Sequence, residues 1–168
     1  GTSFLMRLFT TPLAASDYIM GYTLPLLPMA ILQILISFIA AFFLGLKVNA
    51  NILLSIVVLI PAAILFIGIG LLAGGLFNEK QVSTICGALL TNLSAWLSGT
   101  WFDLNLIGGW FKTLSYALPF AHAVDAGRAA ISGDYGSILP HLWWVIGYAL
   151  VILVIAIIVF RKKMGGDK

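Results

Sequence analysis

The sequence predicts an all-α membrane protein with four transmembrane helices, a short N-terminal surface helix and a re-entrant helical hairpin before the last span. Residues 51–78, NILLSIVVLIPAAILFIGIGLLAGGLFN, carry no charge, and about twenty apolar residues in helix cross the roughly 30 Å hydrocarbon layer of a bilayer. Hydrophobic residues make up 61% of the 168 and charged residues only 9%, against roughly 25% charged in a soluble domain; mean hydropathy is +1.09. The net charge of +3 is concentrated behind the last apolar run, at Arg161, Lys162, Lys163 and Lys168, which marks a topological anchor and not a nucleic-acid surface. Cys86 is the only cysteine, so an intrachain disulfide and a thiolate metal site are both excluded.

The chain opens Gly1-Thr2-Ser3, with neither an initiating methionine nor the basic and apolar regions of a signal peptide, and so reads as a piece of something longer. Residues 2–16 are too short to span. Thr2 or Ser3 caps a helix whose greasy side is Phe4, Leu5, Leu8 and Phe9, and Thr11-Pro12 ends it, because proline disfavours helical geometry in the residue before it. Such a helix lies on the membrane surface or docks on a partner. Ser16-Asp17 suits a second helix start, and 22–46 is the first span, with Pro25 and Pro28 implying a kink or a broken first turn.

Lys47, Asn49 and Asn51 make a polar turn, and 52–77 is the second, antiparallel span. Asn78, Glu79, Lys80 and Gln81 read as a loop, and 83–102 as the third span, in which Gly87, Thr91, Ser94 and Ser98 share a face with Asn92 beside them. Those residues line a substrate path, since polar groups in a membrane need partners or water, or else they let helices approach and bond across the contact. Gly70 and Gly74 form a GxxxG, whose default meaning in an apolar span is close helix packing; a nucleotide fingerprint would need a strand and an aqueous loop. The Asn92-Leu93-Ser94 sequon lies within a span, out of reach of glycosylation.

Residues 105–133 hold the hairpin: one short helix over 106–118, then a second opened by Pro119 and closed at Gly133 by a left-handed cap. Asp125 and Arg128 sit three apart on that second helix and pair, either as mutual neutralisation or as a gate at the outer end of a pathway. His122 reads as a hydrogen-bonded interior residue and His141 as the start of the last span, 141–160, which begins among Trp143, Trp144 and Tyr148 and leaves through the basic cluster. Basic residues favour the cytoplasmic side. Four spans then place both termini in the cytosol, with Arg7, Lys80 and the terminal cluster inside and Lys47, Lys112 and Arg128 outside.

The order of features over 96–135, WLSGTWFDLNLIGGWFKTLSYALPFAHAVDAGRAAISGDY, resembles the membrane subunit of ABC-2 type exporters. The matching positions are Leu97, Ser98, Gly99, Phe102, Pro119, Asp125 and Arg128. Gly1-Thr2, Arg7-Leu8 and Thr11-Pro12-Leu13 are similar to the family's cytoplasmic segment between its second and third membrane helices. Two departures stand out: Asp103 follows the aromatic where the family usually has proline, and the family's first two helices are absent.

The resemblance implies that 22–160 correspond to helices three to six of a permease that exports a hydrophobic or amphipathic substrate from the cell membrane. It implies a coupling helix over 2–16, with Phe4, Leu5, Arg7, Leu8, Thr11 and Pro12 meeting an ABC ATP-binding subunit. A translocation path or dimer interface at Gly87, Thr91, Asn92, Ser94 and Ser98, and an outer gate at Pro119, Asp125 and Arg128, complete the expected sites. The partner subunit would hold ATP and Mg; this chain would bind no cofactor, pair with itself or a second permease, and take no nucleic acid. No Walker motif, Gly-flanked nucleophilic serine or paired catalytic carboxylates occur, so the chain is not expected to be an enzyme. The competing reading is a stand-alone membrane module, a small channel or assembly factor, without ATP coupling.

Overall fold

The computed structural model describes residues 15–166; the expected coupling residues Phe4, Leu5, Arg7, Leu8, Thr11 and Pro12 lie outside them. Among the described residues the fold is all helical, and three helices are long and apolar enough to cross a membrane. These are α1 (Ala15–Phe43), α2 (Asn51–Leu76) and α8 (Tyr135–Gly166).

The helix of the first span starts earlier than 22, at Ala15, with Ile19–Phe43 as its spanning stretch, and runs through Pro25 and Pro28 without a break. Each proline removes one backbone bond, which the rest of a long apolar helix outlasts. Its end is fixed by a glycine that the sequence reading passed over. Gly45 takes φ +100, Leu46 N donates to Ala41 O at 2.9 Å and Gly45 N to Phe42 O at 3.1 Å, the paired bonds of a Schellman cap.

The second span holds, one residue to the N-terminal side. α2 and α8 run parallel. Asn51 Oδ1 accepts from Tyr135 Oη at 3.0 Å, Leu65 is buried with Val145 and Ala149, and Gly75 lies beside Val159 and Phe160. The close approach is made at Gly68 and Gly75, where an added Cβ would stand 3.2 Å from Ile152 Cγ2 and 3.0 Å from Phe160 Cε2. At Gly70 and Gly74, the expected packing pair, an added Cβ would meet nothing within 4 Å. Two full turns separate Gly68 from Gly75, so it is they that share the face turned to α8.

The expected loop at 78–81 is the first turn of a helix. Asn78 Oδ1 accepts from Gln81 N at 2.9 Å and Gln81 Oε1 accepts from Asn78 N at 3.1 Å, a reciprocal capping box. The helical run then continues through α3 (Glu79–Val82), a π-helical segment π1 (Ser83–Leu90) and α4 (Thr91–Leu97). At about 1.5 Å per residue in its α-helical parts, and less in the π-helical one, it rises somewhat under roughly 28 Å. It stops at Leu97, short of the expected 102, because Gly99 adopts φ +70. Phe66 and Gly70 of α2 lie beside Leu90, Thr91, Ser94 and Cys86, so the run returns antiparallel to α2.

The expected helix over 106–118 is two helices, α5 (Leu104–Ile107) and α6 (Gly109–Ala117), divided by positive φ at Gly108 and Gly109. Pro119 opens α7 (Pro119–Ser132), and Gly133 at φ +80 closes it, as the sequence predicts. Small residues let α7 lie close to its neighbours: Ala126, Ala129 and Ala130 are buried with Val58 and Ile138, and Ser55 Oγ donates to Gly127 O at 3.3 Å. The last helix begins at Tyr135 and not at His141, with Pro140 in its second turn; Ser137 Oγ donates to Asp134 Oδ2 at 2.6 Å at its start.

Candidate functional site: a polar pocket at the end of the third helical run

The turn after α4 and the helices α5 to α7 enclose an open pocket of about 390 Å³, to which Ser98, Thr100, Asp103, Asn105, Tyr116, Asp125 and Arg128 contribute. Gly99 makes the turn possible twice over, since its φ is positive and an added Cβ would stand 3.0 Å from Leu104 Cγ. Leu97 and Leu104, on either side, are buried. The turn is thereby clamped on apolar anchors, with Ser98 buried and Thr100 and Asp103 exposed.

Arg128 reaches across from α7, donating from Nη2 to Gly99 O at 3.0 Å. Its Nη1 lies 3.8 Å from Asp125 Oδ1, a long ion pair one helical turn away, as the spacing predicts. Asp125 Oδ2 accepts from Tyr116 Oη at 2.9 Å. Asp103 Oδ1 accepts from both the backbone N and the Nδ2 of Asn105 at 2.8 Å, capping α5. The Asn105 backbone amide, followed by its side chain, holds the Asp103 carboxyl below its usual range. Proline at position 103 could supply no such cap, so the departure from the family pattern has a structural use here. Trp101 and Phe102 stand at the rim, each within 6 Å of Trp96.

The predicted sites divide. Ser98, Asp125 and Arg128 meet in this pocket; Thr91 and Ser94 line a separate cleft of about 310 Å³ against Phe66 and Gly70. Gly87 and Asn92 are exposed, and an added Cβ at Gly87 would meet nothing within 4 Å. Gly87 lies in π1, whose wider turn changes the angular spacing between it and the residues of α4, and like Thr91 and Asn92 it is left uncovered by this chain. The side chains of Thr91, Asn92 and Ser94 bond back to their own helical run. Thr91 Oγ1 donates to Cys86 O at 2.9 Å, Asn92 Nδ2 to Ala88 O at 2.7 Å and Ser94 Oγ to Thr91 O at 3.0 Å. Pro119 is buried at the head of α7 and contributes to folding rather than to the pocket wall. Tyr116, Thr100 and Asn105 were not singled out in the sequence; only the Asp103 position gave a signal.

A second polar cluster lies where α6, α7 and α8 meet. His122 is buried, as expected, and its Nε2 lies 2.9 Å from Tyr116 O. A carbonyl only accepts, so His122 carries its proton on Nε2, and in the neutral ring Nδ1 accepts from His141 Nδ1 at 2.8 Å. His141 therefore bridges to α7 from within α8 and does not begin that helix. Trp144 stacks on His122 with centroids 5.1 Å apart, and Tyr148 Oη donates to Ala117 O at 2.6 Å. Between α1 and α2 lies a third hollow, about 840 Å³, walled by Phe38, Leu59 and Phe66, with Gln33 and Ser37 among its few polar residues. Among the described residues no three His, Cys, Asp or Glu side chains are grouped to hold a metal.

The family model for ABC-2 type transporters matches residues 1–132. No curated protein and no solved structure matches the chain. Members of the family are membrane transport components that work with an ATP-binding subunit. With apolar helices of spanning length and a match over most of its sequence, the chain belongs to the ABC-2 type transporter family and is a membrane-embedded permease component.

Proposed function

We propose that this chain is the membrane-spanning part of an ATP-driven exporter of hydrophobic or amphipathic substrates, with four crossings and both termini in the cytosol of the cell membrane. The transport role rests on the family match, and the observation that supports four crossings is the parallel alignment of α2 and α8. Two parallel spans require the chain to cross back between them, and the run from Glu79 to Leu97 has the length and the antiparallel direction for that return. The short helices α5 to α7 then form the hairpin on the far side, where the polar pocket opens.

In this reading Phe4, Leu5, Arg7, Leu8, Thr11 and Pro12 form the contact with the ATPase, whose closure moves the spans. The uncovered face bearing Gly87, Thr91 and Asn92 meets a second permease copy or lines the path between the two copies. Pro119, Asp125 and Arg128 belong to the outer gate. ATP and Mg are held by the partner, and this chain supplies no catalytic group.

Co-purification with an ATP-binding subunit, lost when residues 2–12 are scrambled, tests the coupling; undiminished binding overturns it. Orientation is tested on sealed cells in a Cys86→Ser background. A cysteine introduced at Asn49 is expected to react with an impermeant thiol reagent, and one placed after Lys168 to be protected. The reverse pattern overturns the topology.

A further inference from the structure

We infer that the pocket formed by Ser98, Asp103, Asn105, Tyr116, Asp125 and Arg128 binds a neutral, hydroxyl-rich group such as a sugar ring. As the polar end of an exported substrate this guest rests on the export reading; as a ligand of the pocket it does not.

The charge balance removes the simpler guests. Two carboxylates, Asp103 and Asp125, and one guanidinium, Arg128, leave the pocket with one net negative charge, so a phosphate or carboxylate would face two like charges. A cation would sit beside a guanidinium only 3.8 Å from Asp125. An apolar guest finds little to bury, because small-molecule pockets that take such ligands are lined mostly by apolar side chains, whereas here hydroxyl, amide, carboxylate and guanidinium groups predominate over Trp101, Phe102 and Leu104.

The hydrogen-bonding pattern selects what remains. Asp103 Oδ1 is already engaged twice by Asn105, and Asp125 Oδ2 once by Tyr116, leaving each carboxylate with lone pairs to offer. Arg128 spends Nη2 on Gly99, and with 57% of its side chain exposed it retains N–H donors. Acceptors and donors thus share one small space, and a group that both donates and accepts hydrogen bonds at several points, as neighbouring hydroxyls do, satisfies both. Trp101 is 63% exposed at the rim, steadied 5.7 Å from Trp96, and offers the flat face that covers the C–H side of a ring. The pocket volume of about 390 Å³ falls at the small end of the roughly 300–1,000 Å³ range of ligand sites.

The test uses the full-length protein in lipid nanodiscs. Saturation-transfer NMR with methyl glucoside and maltose is compared with tetramethylammonium and glycerol phosphate, for the parent protein and for Trp101→Ala and Asp103→Asn. Trp101→Ala gives up one contact at the rim, with Trp96, and asparagine keeps the oxygen that caps α5, so thermal melting of each variant is recorded beside the binding to show that it is folded. Saturable binding of the saccharides, weakened at least tenfold by both substitutions, is expected. Absence of saccharide binding, equal binding in both variants, or preference for the ammonium or phosphate probe overturns the assignment. Co-purification of the ATP-binding subunit is scored on the same preparations. Lost sugar binding with the ATPase still attached sinks this inference alone, and intact sugar binding without the ATPase sinks the export reading alone.

Discussion

Arg128 holds the carbonyl of Gly99, 29 positions earlier in the chain, at 3.0 Å, and so ties α7 to the turn that ends α4. A hydrogen bond from a charged group is worth about 1.5–3 kcal/mol; with the guanidinium more than half exposed, about 1 kcal/mol is the better figure. Arg128→Ala is expected to lower the unfolding midpoint of the purified protein by a few degrees. Arg128→Lys should recover part of the loss through one donor. Identical melting of both variants and the parent would show that the tie carries no load.

The glycines of α2 separate into two kinds. Gly68→Leu and Gly75→Leu drive side chains into Ile152, Leu153 and Phe160, and overpacking of this type costs about 1–3 kcal/mol per site. At Gly70 and Gly74 an added Cβ meets nothing within 4 Å, so Gly70→Ala and Gly74→Ala should leave melting of the chain unchanged. If the second pair faces another subunit, its effect shows instead in cross-linking yield between copies.

Ser115 is fully buried, and its Oγ has no hydrogen-bond partner among the described residues. A buried unsatisfied hydroxyl costs about 1–3 kcal/mol. Ser115→Ala is therefore expected to stabilise the protein by about 1 kcal/mol, read as a raised melting temperature; a drop would reveal a partner for the hydroxyl.

Asp103 titrates below the usual carboxylate range because the Asn105 backbone amide and then its side chain bond the charged form. A depressed acid contributes stability above its unfolded pKa and loses that contribution as pH falls through the folded value. Order at α5, followed by fluorescence of Trp101, should accordingly be flat from neutral pH down to about 4 and decline below it. Asp103→Ala should abolish the acid transition and loosen the turn at every pH, whereas Asp103→Asn should abolish the transition and keep the turn.

Legibility in the sequence followed the range of the forces involved. Apolar runs of spanning length and the Pro119 and Gly133 boundaries of α7 were visible because each depends on local chemistry. The π-helical segment was not: nothing in STICGALL departs from ordinary helix-forming sequence, and the register of the Gly87 to Ser98 face went with it. Asp125 and Arg128 were found through their spacing. Tyr116 escaped because it joins the pocket only after the break in the helix at Gly108 and Gly109, and Asn105 because its bond to Asp103 depends on the helix start at Leu104 that the sequence reading placed later. Of the glycines in α2, sequence gave the motif, while the partner helix chose which of them mattered.

The hydrogen bond between Asn51 and Tyr135 joins residues 84 positions apart, and it sits at the head of the interface between α2 and α8. During synthesis α2 must wait, its docking face covered only by lipid, until everything through α8 has left the ribosome. Assembly of this subunit is thus a late event, decided by its last described helix. Premature stops anywhere before Val145 should leave a chain that inserts into the bilayer yet never closes its core, a natural target for membrane quality control.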